Sequence, residues 1–221
     1  MSALPKPAVR ATVREPMRRN SRSNRARILA AAREELGRNP DVTLEEIARA
    51  AGVVRRTLFG HFPGRAALLD ALAEEASEAL RGVVTRAPGA EETPQRALAR
   101  FVLSIWPVGD RYRLLLALAR QDLGTERVSE ILAPARDEAT AILERGQGAG
   151  VFHDHLPAAV LSAALEALTL SLLESVNAGT WEDDGTRTAV ATLVAAGVSD
   201  QSATAIVEDM ASELRAEASD G

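Results

Sequence analysis

The first clear pattern of apolar residues begins after residue 22 and has the period of an α-helix. Ile28, Leu29, Ala32 and Leu36 fall at i, i+1, i+4 and i+8, which places them on one face of a helix. Glycine, asparagine and proline within residues 37–40 predict the end of that helix. The segment therefore predicts an amphipathic helix that buries one face.

Two shorter helical patterns follow at once. Thr43 and Glu46 have the spacing of a capping box, in which the hydroxyl caps a helical amide and the carboxylate reaches back. Gly52 predicts the end of this second helix, because glycine adopts the left-handed conformation that a tight turn needs. A third helix, with Leu58 facing inward, ends at Pro63. Three short helices with a glycine turn between the second and third predict a helix-turn-helix, whose third helix enters the major groove of DNA.

The rest of the chain predicts more helices, and strand-forming tracts are hard to find. Glycine and proline separate the apolar stripes, with a loop at residues 86–93, and a restart of one helix at Pro134 is left open. The fold class expected is all-α, with an N-terminal three-helix helix-turn-helix and a C-terminal helical domain. The predicted helices of that second part cover residues 65–84, 94–106, 111–121, 128–147, 158–177, 186–196 and 199–216.

Charge is distributed very unevenly along the chain. Residues 1–65 hold 14 Lys/Arg and 6 Asp/Glu, a net charge of +8, whereas residues 66–221 hold 12 and 25, a net charge of −13. The two parts sum to the −5 of the whole chain. A basic head on an acidic body indicates that the head binds a polyanion.

Residues 1–22 combine three prolines with six arginines and lysines and lack an apolar period. They predict a disordered basic arm that follows the minor groove or phosphates, and a simple solubilising tail remains the alternative. The expected domains are the arm at 1–22, the helix-turn-helix domain at 23–66 and a helical ligand-binding and dimerisation domain at 67–221.

Composition argues against several classes of protein. The 221 residues contain no cysteine, which excludes disulfides and thiolate metal sites. No run of eighteen uncharged apolar residues and no signal-peptide core is found, so we expect a cytoplasmic protein without a membrane span. His153 and His155 alone are a weak metal signal, and the common catalytic motifs are missing. We therefore expect no enzyme activity, no cofactor and no metal.

The helix-turn-helix segment resembles the tetracycline-repressor (TetR) family of bacterial regulators. The resemblance is carried by R-A-R-I-L-A-A-A-R-E-E-L at 25–36, V-T-L-E-E-I-A-R-A-A-G-V at 42–53 and R-T-L-F-G-H-F-P-G-R-A-A-L-L at 56–69. It runs from residue 25 to residue 69, 45 residues, with the spacing intact. Beyond this stretch, only the helix count and the R-G-Q-G-A-G-V-F turn at 145–152 are similar.

The family's DNA contacts carry over position by position. Thr43 matches a helix-capping residue that bonds a phosphate, and Arg55 and Arg56 match base-reading positions. Arginine bidentate to guanine is the commonest specific contact, and a phosphate contact remains the alternative for both arginines. Phe59 replaces a usual tyrosine and Val54 a frequent serine, so one phosphate bond and one helix cap should be missing. The residues expected at DNA are Arg22, Arg25, Thr43, Val54, Arg55, Arg56, Thr57, Phe59, Gly60, His61 and Arg65.

The resemblance further implies a homodimer on a palindromic operator and a small-molecule effector inside the helical body. Glu166 is the only charge between Ala158 and Leu173, and we expect it to bind a ligand group, to pair with an arginine such as Arg113 or Arg120, or to be exposed. The expected dimer interface contains Leu161, Ala164, Leu165, Leu168, Leu172 and Val176, unless these belong to the monomer core. The expected ligand-lining residues are Phe101, Trp106, Tyr112, Leu116, Ile142, Phe152, Glu166 and Thr169.

The function expected is a ligand-responsive transcriptional regulator, a repressor that releases its double-stranded DNA operator when the effector binds. Two alternatives stay open: an orphan or activating DNA-binding regulator without a ligand, and a helical interaction protein that has lost DNA binding.

Overall fold

The computed structural model describes residues 14–85, 92–122 and 124–219, and these residues form α-helices without any strand. The prediction of an all-α fold is confirmed. The predicted loop at 86–93 lies mostly outside the described residues. The helices are α1 (Arg14–Arg38), α2 (Leu44–Ala50), α3 (Arg55–His61), α4 (Arg65–Val84), α5 (Pro94–Asp122), α6 (Gly124–Gly148), α7 (Ala158–Asn177), α8 (Thr186–Ala195) and α9 (Asp200–Ser219).

The chain divides into two compact units, Met1–Leu72 and Ala73–Gly221, with the boundary inside α4. The sequence-based boundary at 66/67 falls six residues earlier. In the first unit, α1, α2, α3 and the start of α4 enclose a small apolar core. Its fully buried residues include Ile28, Ala32, Ile47, Leu58 and Leu69.

Helix α1 begins much earlier than the apolar pattern predicts. The sequence places residues 14–22 in a disordered arm, but the helix runs from Arg14, so the prediction is wrong for them. Arginine and glutamate are good helix formers, and Pro16 lies in the first turn, where its missing N–H would have no partner in any case. Residues 1–13 of the arm lie outside the described residues.

The second unit is organised around α5, which packs against α6, α7, α8 and α9. Its core draws small and aliphatic side chains from all five helices, together with Phe152 from the α6–α7 turn. The Phe152 ring lies directly on Gly146, where a Cβ atom would overlap the ring. The turn thus depends on having no side chain at residue 146.

Two prolines lie inside helices instead of ending them. The sequence predicts a break between 106 and 111, but α5 continues through Pro107, and α6 continues through Pro134. Proline removes one helical hydrogen bond and clashes with the preceding turn. Trp106 and Tyr112 are buried on either side of the first site, so packing outweighs that local cost.

Among the described residues, α7 is the one helix that is long and apolar enough to cross a membrane, judged by length and composition alone. Only 22% of that stretch is buried inside this chain. Much of its apolar surface therefore has no partner within the described part of the monomer.

Candidate nucleic-acid interface and ligand cavity

The turn between α2 and α3 is held by a long-range contact. The Arg27 guanidinium of α1 donates to the carbonyl oxygens of Ala51 (2.6 Å) and Gly52 (3.2 Å). Gly52 has φ of +62°, and a Cβ atom there would lie 2.7 Å from Arg27 Nη2. The turn needs glycine for two reasons, its left-handed backbone and this close approach. Sequence reasoning missed Arg27, because its partners lie 24 and 25 residues away.

The capping box predicted at the start of α2 is confirmed. The Thr43 hydroxyl accepts from the Glu46 amide at 3.3 Å and donates to the Glu46 carboxylate at 2.7 Å, and the Thr43 amide donates to the same oxygen at 2.8 Å. The bond from the Thr43 amide, followed by that from its hydroxyl, lowers the pKa of Glu46 below its ordinary value. Because the single hydroxyl hydrogen of Thr43 is directed to Glu46, a phosphate contact from this hydroxyl would require it to rotate.

Helix α3 presents its N-terminal end to solvent. Val54 is the N-cap residue and is 69% exposed, and Arg55 and Arg56 after it are also exposed. On the opposite face, Leu58 and Phe62 are buried at 0% and 2% exposure and anchor the helix to the core. As expected, no side chain caps α3, which costs about 1 kcal/mol relative to a serine cap.

The two arginines at this end have different environments. Arg55 Nε is 3.1 Å from Glu45 Oε1, and its guanidinium carbon lies 5.0 Å from the centre of the Phe59 ring. These contacts leave both Nη groups of Arg55 without a partner among the described residues. Arg56 forms no ion pair or hydrogen bond within the described part of the chain. Within the described residues, the Arg55 guanidinium is thus held by two contacts, whereas the Arg56 guanidinium is held by none.

Other predicted DNA residues surround α3. Arg22 and Arg25 are exposed on α1, and the Arg25 guanidinium lies 5.4 Å from the Phe62 ring centre. Gly60 is exposed, and a Cβ atom there would have no other atom within 4 Å, so the outer face of α3 is open at this point. Thr57 and His61 are half-buried at its side. These placements do not test DNA contact, which stays a prediction.

Arg65 has an internal role that the sequence did not indicate. Its Nη1 donates to the Val42 carbonyl at 3.0 Å, and its Nη2 donates to the Pro40 carbonyl. The guanidinium therefore ties the start of α4 to the α1–α2 loop. Its predicted contact with DNA remains untested.

A cavity of about 110 Å³ lies inside the second unit. Its wall is almost entirely apolar and is built from α4, α5, α6, α7 and one residue of α8. Arg136 and Glu166 supply its charges and face each other in a two-point ion pair, with Nε–Oε2 at 2.9 Å and Nη2–Oε1 at 3.0 Å. The bonds to Glu166 raise the pKa of the Arg136 guanidinium. Glu166 is thus paired, with Arg136 in place of Arg113 or Arg120.

The eight predicted ligand residues separate into four groups, the last of which, Trp106 and Phe152, does not line the cavity. Phe101, Tyr112, Glu166 and Thr169 line the cavity. Ile142 lines a wider, more polar groove that shares Phe101 with it. The side chain of Leu116 lies outside the described residues.

The prediction that Trp106 and Phe152 line the ligand cavity is wrong, because neither side chain contributes to its wall. Trp106 is 3% exposed and donates its indole N–H to the Asp183 carbonyl at 3.3 Å. Phe152 packs on Gly146 in the core. Both aromatic rings stabilise connections between helices, since their large apolar surfaces are covered by the chain itself.

The predicted dimer residues also need one correction. Leu161 and Leu165 are 3% and 6% exposed and belong to the core of the second unit, so neither is available to a partner. Ala164 is exposed, and Leu168, Leu172 and Val176 are half-buried. The exposed apolar face of α7 instead includes Val160 and Ala167, and α8 adds Val194.

The two histidines of the α6–α7 turn form a stacked pair with ring centres 5.0 Å apart. His153 Nε2 lies 2.9 Å from the Ala195 carbonyl oxygen, which fixes the turn to the end of α8. No group of three or more His, Cys, Asp or Glu side chains that could hold a metal is found in the described parts of the chain.

The sequence and the fold were both found to be similar to those of known proteins. Residues 28–72 match the family model described as bacterial regulatory proteins, tetR family. A tetR-family regulator from Rhodococcus RHA1 superposes with a TM-score of 0.66 at 21% identity, over 80% of this chain and 98% of that one. Among curated proteins, no sequence matches this chain.

Two further structures have the same fold. MbdR from Azoarcus sp. CIB gives a TM-score of 0.63 at 19% identity, over 79% of this chain and 97% of that one. LfrR from Mycobacterium smegmatis, in complex with proflavine, gives 0.63 at 23% identity, over 79% and 94%.

The fold and the exposed third helix define a helix-turn-helix domain on an all-α body, and the matched family model describes bacterial regulatory proteins. Residues 28–72 thus match the TetR family of bacterial regulators, and the chain has the all-α fold of solved structures from that family.

Proposed function

We propose that the protein binds a palindromic DNA operator as a homodimer, represses transcription there and releases the operator when a small, largely apolar molecule occupies the cavity. The observation that carries the DNA-binding part is the solvent-exposed N-terminal end of α3, where Arg55 and Arg56 project from a helix anchored by buried Leu58. Residues at this end of a recognition helix contact base edges. The +8 charge of residues 1–65 supplies the accompanying attraction to phosphates.

Selection from random duplexes with the full-length protein tests DNA binding. We expect a palindromic site with a G·C pair in each half-site, because the free Nη groups of Arg55 fit guanine O6 and N7. Arg55→Ala should relax the selected sequence at that pair and cost about 1–3 kcal/mol per half-site. Arg38→Ala is the matched control, because Arg38 is exposed and paired with Glu34 and Glu35. An equal loss of affinity for all sequences in Arg55→Ala would reject base reading in favour of phosphate contact.

The homodimer is supported by the exposed apolar face of α7 and α8. Apart from Val54, the exposed large apolar side chains of the described residues are Leu156, Val160 and Val194, which lie just before α7, on α7 and on α8. Exposed alanines on α7, including Ala163, let a second helix approach closely. A self-complementary face of this kind suits a two-fold interface.

Ala164→Glu tests this interface, because it places a carboxylate on the exposed face of α7. Light scattering on the eluting protein should show a dimer for the parent and a monomer for the variant. Ala205→Glu, on the exposed side of α9, should leave the dimer intact. A parent protein that is monomeric at tens of micromolar would reject the proposal, and binding of that monomer to liposomes would point to a membrane partner for α7.

Effector binding is supported by the cavity. The wall of the cavity is almost entirely apolar, and an apolar cavity of about 150 Å³ accepts a ring-sized molecule such as benzene. The structurally similar LfrR was solved with proflavine, which makes that compound a second probe. An effector acts by preferring the state that does not bind DNA, so it must shift a population between two states.

Thermal melting with benzene, toluene and proflavine tests the ligand step, since a native-state ligand raises the midpoint. The same compound should lower affinity for the selected operator. A compound that raises the midpoint without changing operator affinity would support the alternative of a regulator that does not respond to ligands.

A further inference from the structure

We propose that Val54 is a specificity-determining residue that reads the C5-methyl group of a thymine in each half-site. This inference rests on the DNA-binding function proposed above. Val54 is the most exposed large apolar side chain in the described residues, at 69%. It stands at the tip of α3, immediately before Arg55 and Arg56.

The fold itself gives no reason for a valine at this position. The side chain is not part of the core, and it makes no cap for α3, whose first turn is closed by backbone bonds from the Thr57 and Leu58 amides to the Val54 carbonyl. A serine, threonine or aspartate here would cap the helix and remove an exposed apolar group. A residue that breaks two local rules without a packing gain marks a functional position.

The chemistry of the surroundings narrows what Val54 can contact. Its neighbours along α3 are two guanidiniums and the Thr57 hydroxyl, which suit the polar acceptors of DNA. An isopropyl group cannot donate or accept a hydrogen bond, so it has no favourable partner among phosphates or base-edge heteroatoms. The thymine methyl is the apolar group that unmodified DNA presents in the major groove.

The position on the helix agrees with that partner. N-terminal residues of a recognition helix approach the base edges, whereas the rest of the helix-turn-helix contacts the backbone. Val54 is itself 69% exposed, so its side chain is open to a partner. Val54 and Arg55 are adjacent in the chain, so the thymine and the guanine read by Arg55 should be close to each other in the half-site.

The experiment removes the methyl group from the DNA rather than from the protein. Each thymine of the selected operator is replaced in turn by deoxyuridine, and affinity is measured with the full-length protein. One position per half-site should lose about fourfold in affinity, the equivalent of one buried carbon group at about 0.8 kcal/mol. Replacement in both half-sites should lose about 15-fold.

Three variants assign the effect to Val54. Val54→Ala and Val54→Ser should bind the thymine and deoxyuridine operators equally at that position, and their response at other positions should not change. Val54→Ser should also raise the melting temperature, because serine caps the helix. A loss of thymine discrimination in this variant could therefore not be ascribed to a loss of stability. Val54→Thr keeps one methyl group and should retain part of the discrimination.

The same operator with cytosine at the sensitive position, and then with 5-methylcytosine, checks that the methyl is read. The methylated base should recover part of the lost affinity. If no thymine is sensitive to methyl loss, or if Val54→Ala keeps the parent's discrimination, this inference is overturned. A protein that selects no DNA sequence would instead remove the proposed function itself.

Discussion

Ala139→Leu should stabilise the second unit and at the same time abolish ligand binding. Ala139 lines the apolar cavity from α6, so the three added carbon atoms enter empty space. Burying them gains about 2.4 kcal/mol at about 0.8 kcal/mol each, and ordering the longer side chain costs about 0.5–1 kcal/mol. The 110 Å³ cavity sets a ceiling of about 2.6 kcal/mol at about 24 cal/mol per Å³. We expect a net gain of about 1.5 kcal/mol.

Thermal melting of the full chain measures both effects. A gain of about 1.5 kcal/mol corresponds to a rise of about 3–6 °C for a chain of this length. Saturating benzene should raise the midpoint of the parent and leave that of Ala139→Leu unchanged, because the added side chain occupies the space that the ring would fill. Ala205→Leu, exposed on α9, controls for the change in helix propensity and should respond to benzene like the parent. A destabilised variant, or one that still responds to benzene, would refute the assignment of this cavity as the ligand site.

Three further predictions concern stability. Gly146→Ala should destabilise the protein by about 1–3 kcal/mol in denaturant titrations, because the added methyl group would collide with the Phe152 ring. Gly148→Ala is the control and should be neutral or stabilising, because a Cβ atom at Gly148 has open space around it. Folding lowers the pKa of Glu46, so the stability that Glu46 contributes is fully present above its ordinary pKa of 4.5 and is lost as the pH falls through the lowered pKa. Glu46→Gln should therefore flatten the acidic part of a curve of unfolding free energy against pH. An unchanged curve would contradict the capping box. Glu166→Ala should cost about 1–2 kcal/mol in chemical denaturation, since it leaves the partly buried Arg136 unpaired, and Arg136→Met in the same chain should restore much of that loss unless the pair is irrelevant to folding.

The helix-turn-helix was predictable because its signals are local. A capping box spans four residues, a glycine turn needs one residue, and the buried stripe of each helix repeats within two turns. Such signals placed the start of α2 and both ends of α4 at the residues that the structure has. At Pro107 the local signal conflicted with packing. The sequence predicted that the helix would end there, but α5 continues because the residues on either side are buried.

The cavity was only partly predictable, because it depends on which helices meet. The Arg136–Glu166 pair joins positions 30 residues apart on different helices, and no local pattern selects Arg136 from the other arginines. Trp106 has the residue type of a ligand contact, yet its indole N–H is bound to the Asp183 carbonyl 77 residues away. For α7, periodicity identified an apolar surface but could not divide it between the chain's own core, which takes Leu165, and the exposed face that carries Ala164.

The replacement at Phe59 shows how one departure from the family pattern changes the chemistry of the recognition helix. A phenylalanine has no hydroxyl to offer a phosphate, but its ring lies under the Arg55 guanidinium, while Glu45 holds the same group through Nε. Stacking and an ion pair at exposed sites are each worth about 0.5–1 kcal/mol at most, which is enough to restrict the rotamers of an arginine without removing it from solvent. The side chain is therefore oriented before DNA arrives, and its Nη groups stay available. In the proposed complex, residue 59 therefore offers no phosphate contact and instead braces Arg55, and this favours base reading over phosphate contact for Arg55.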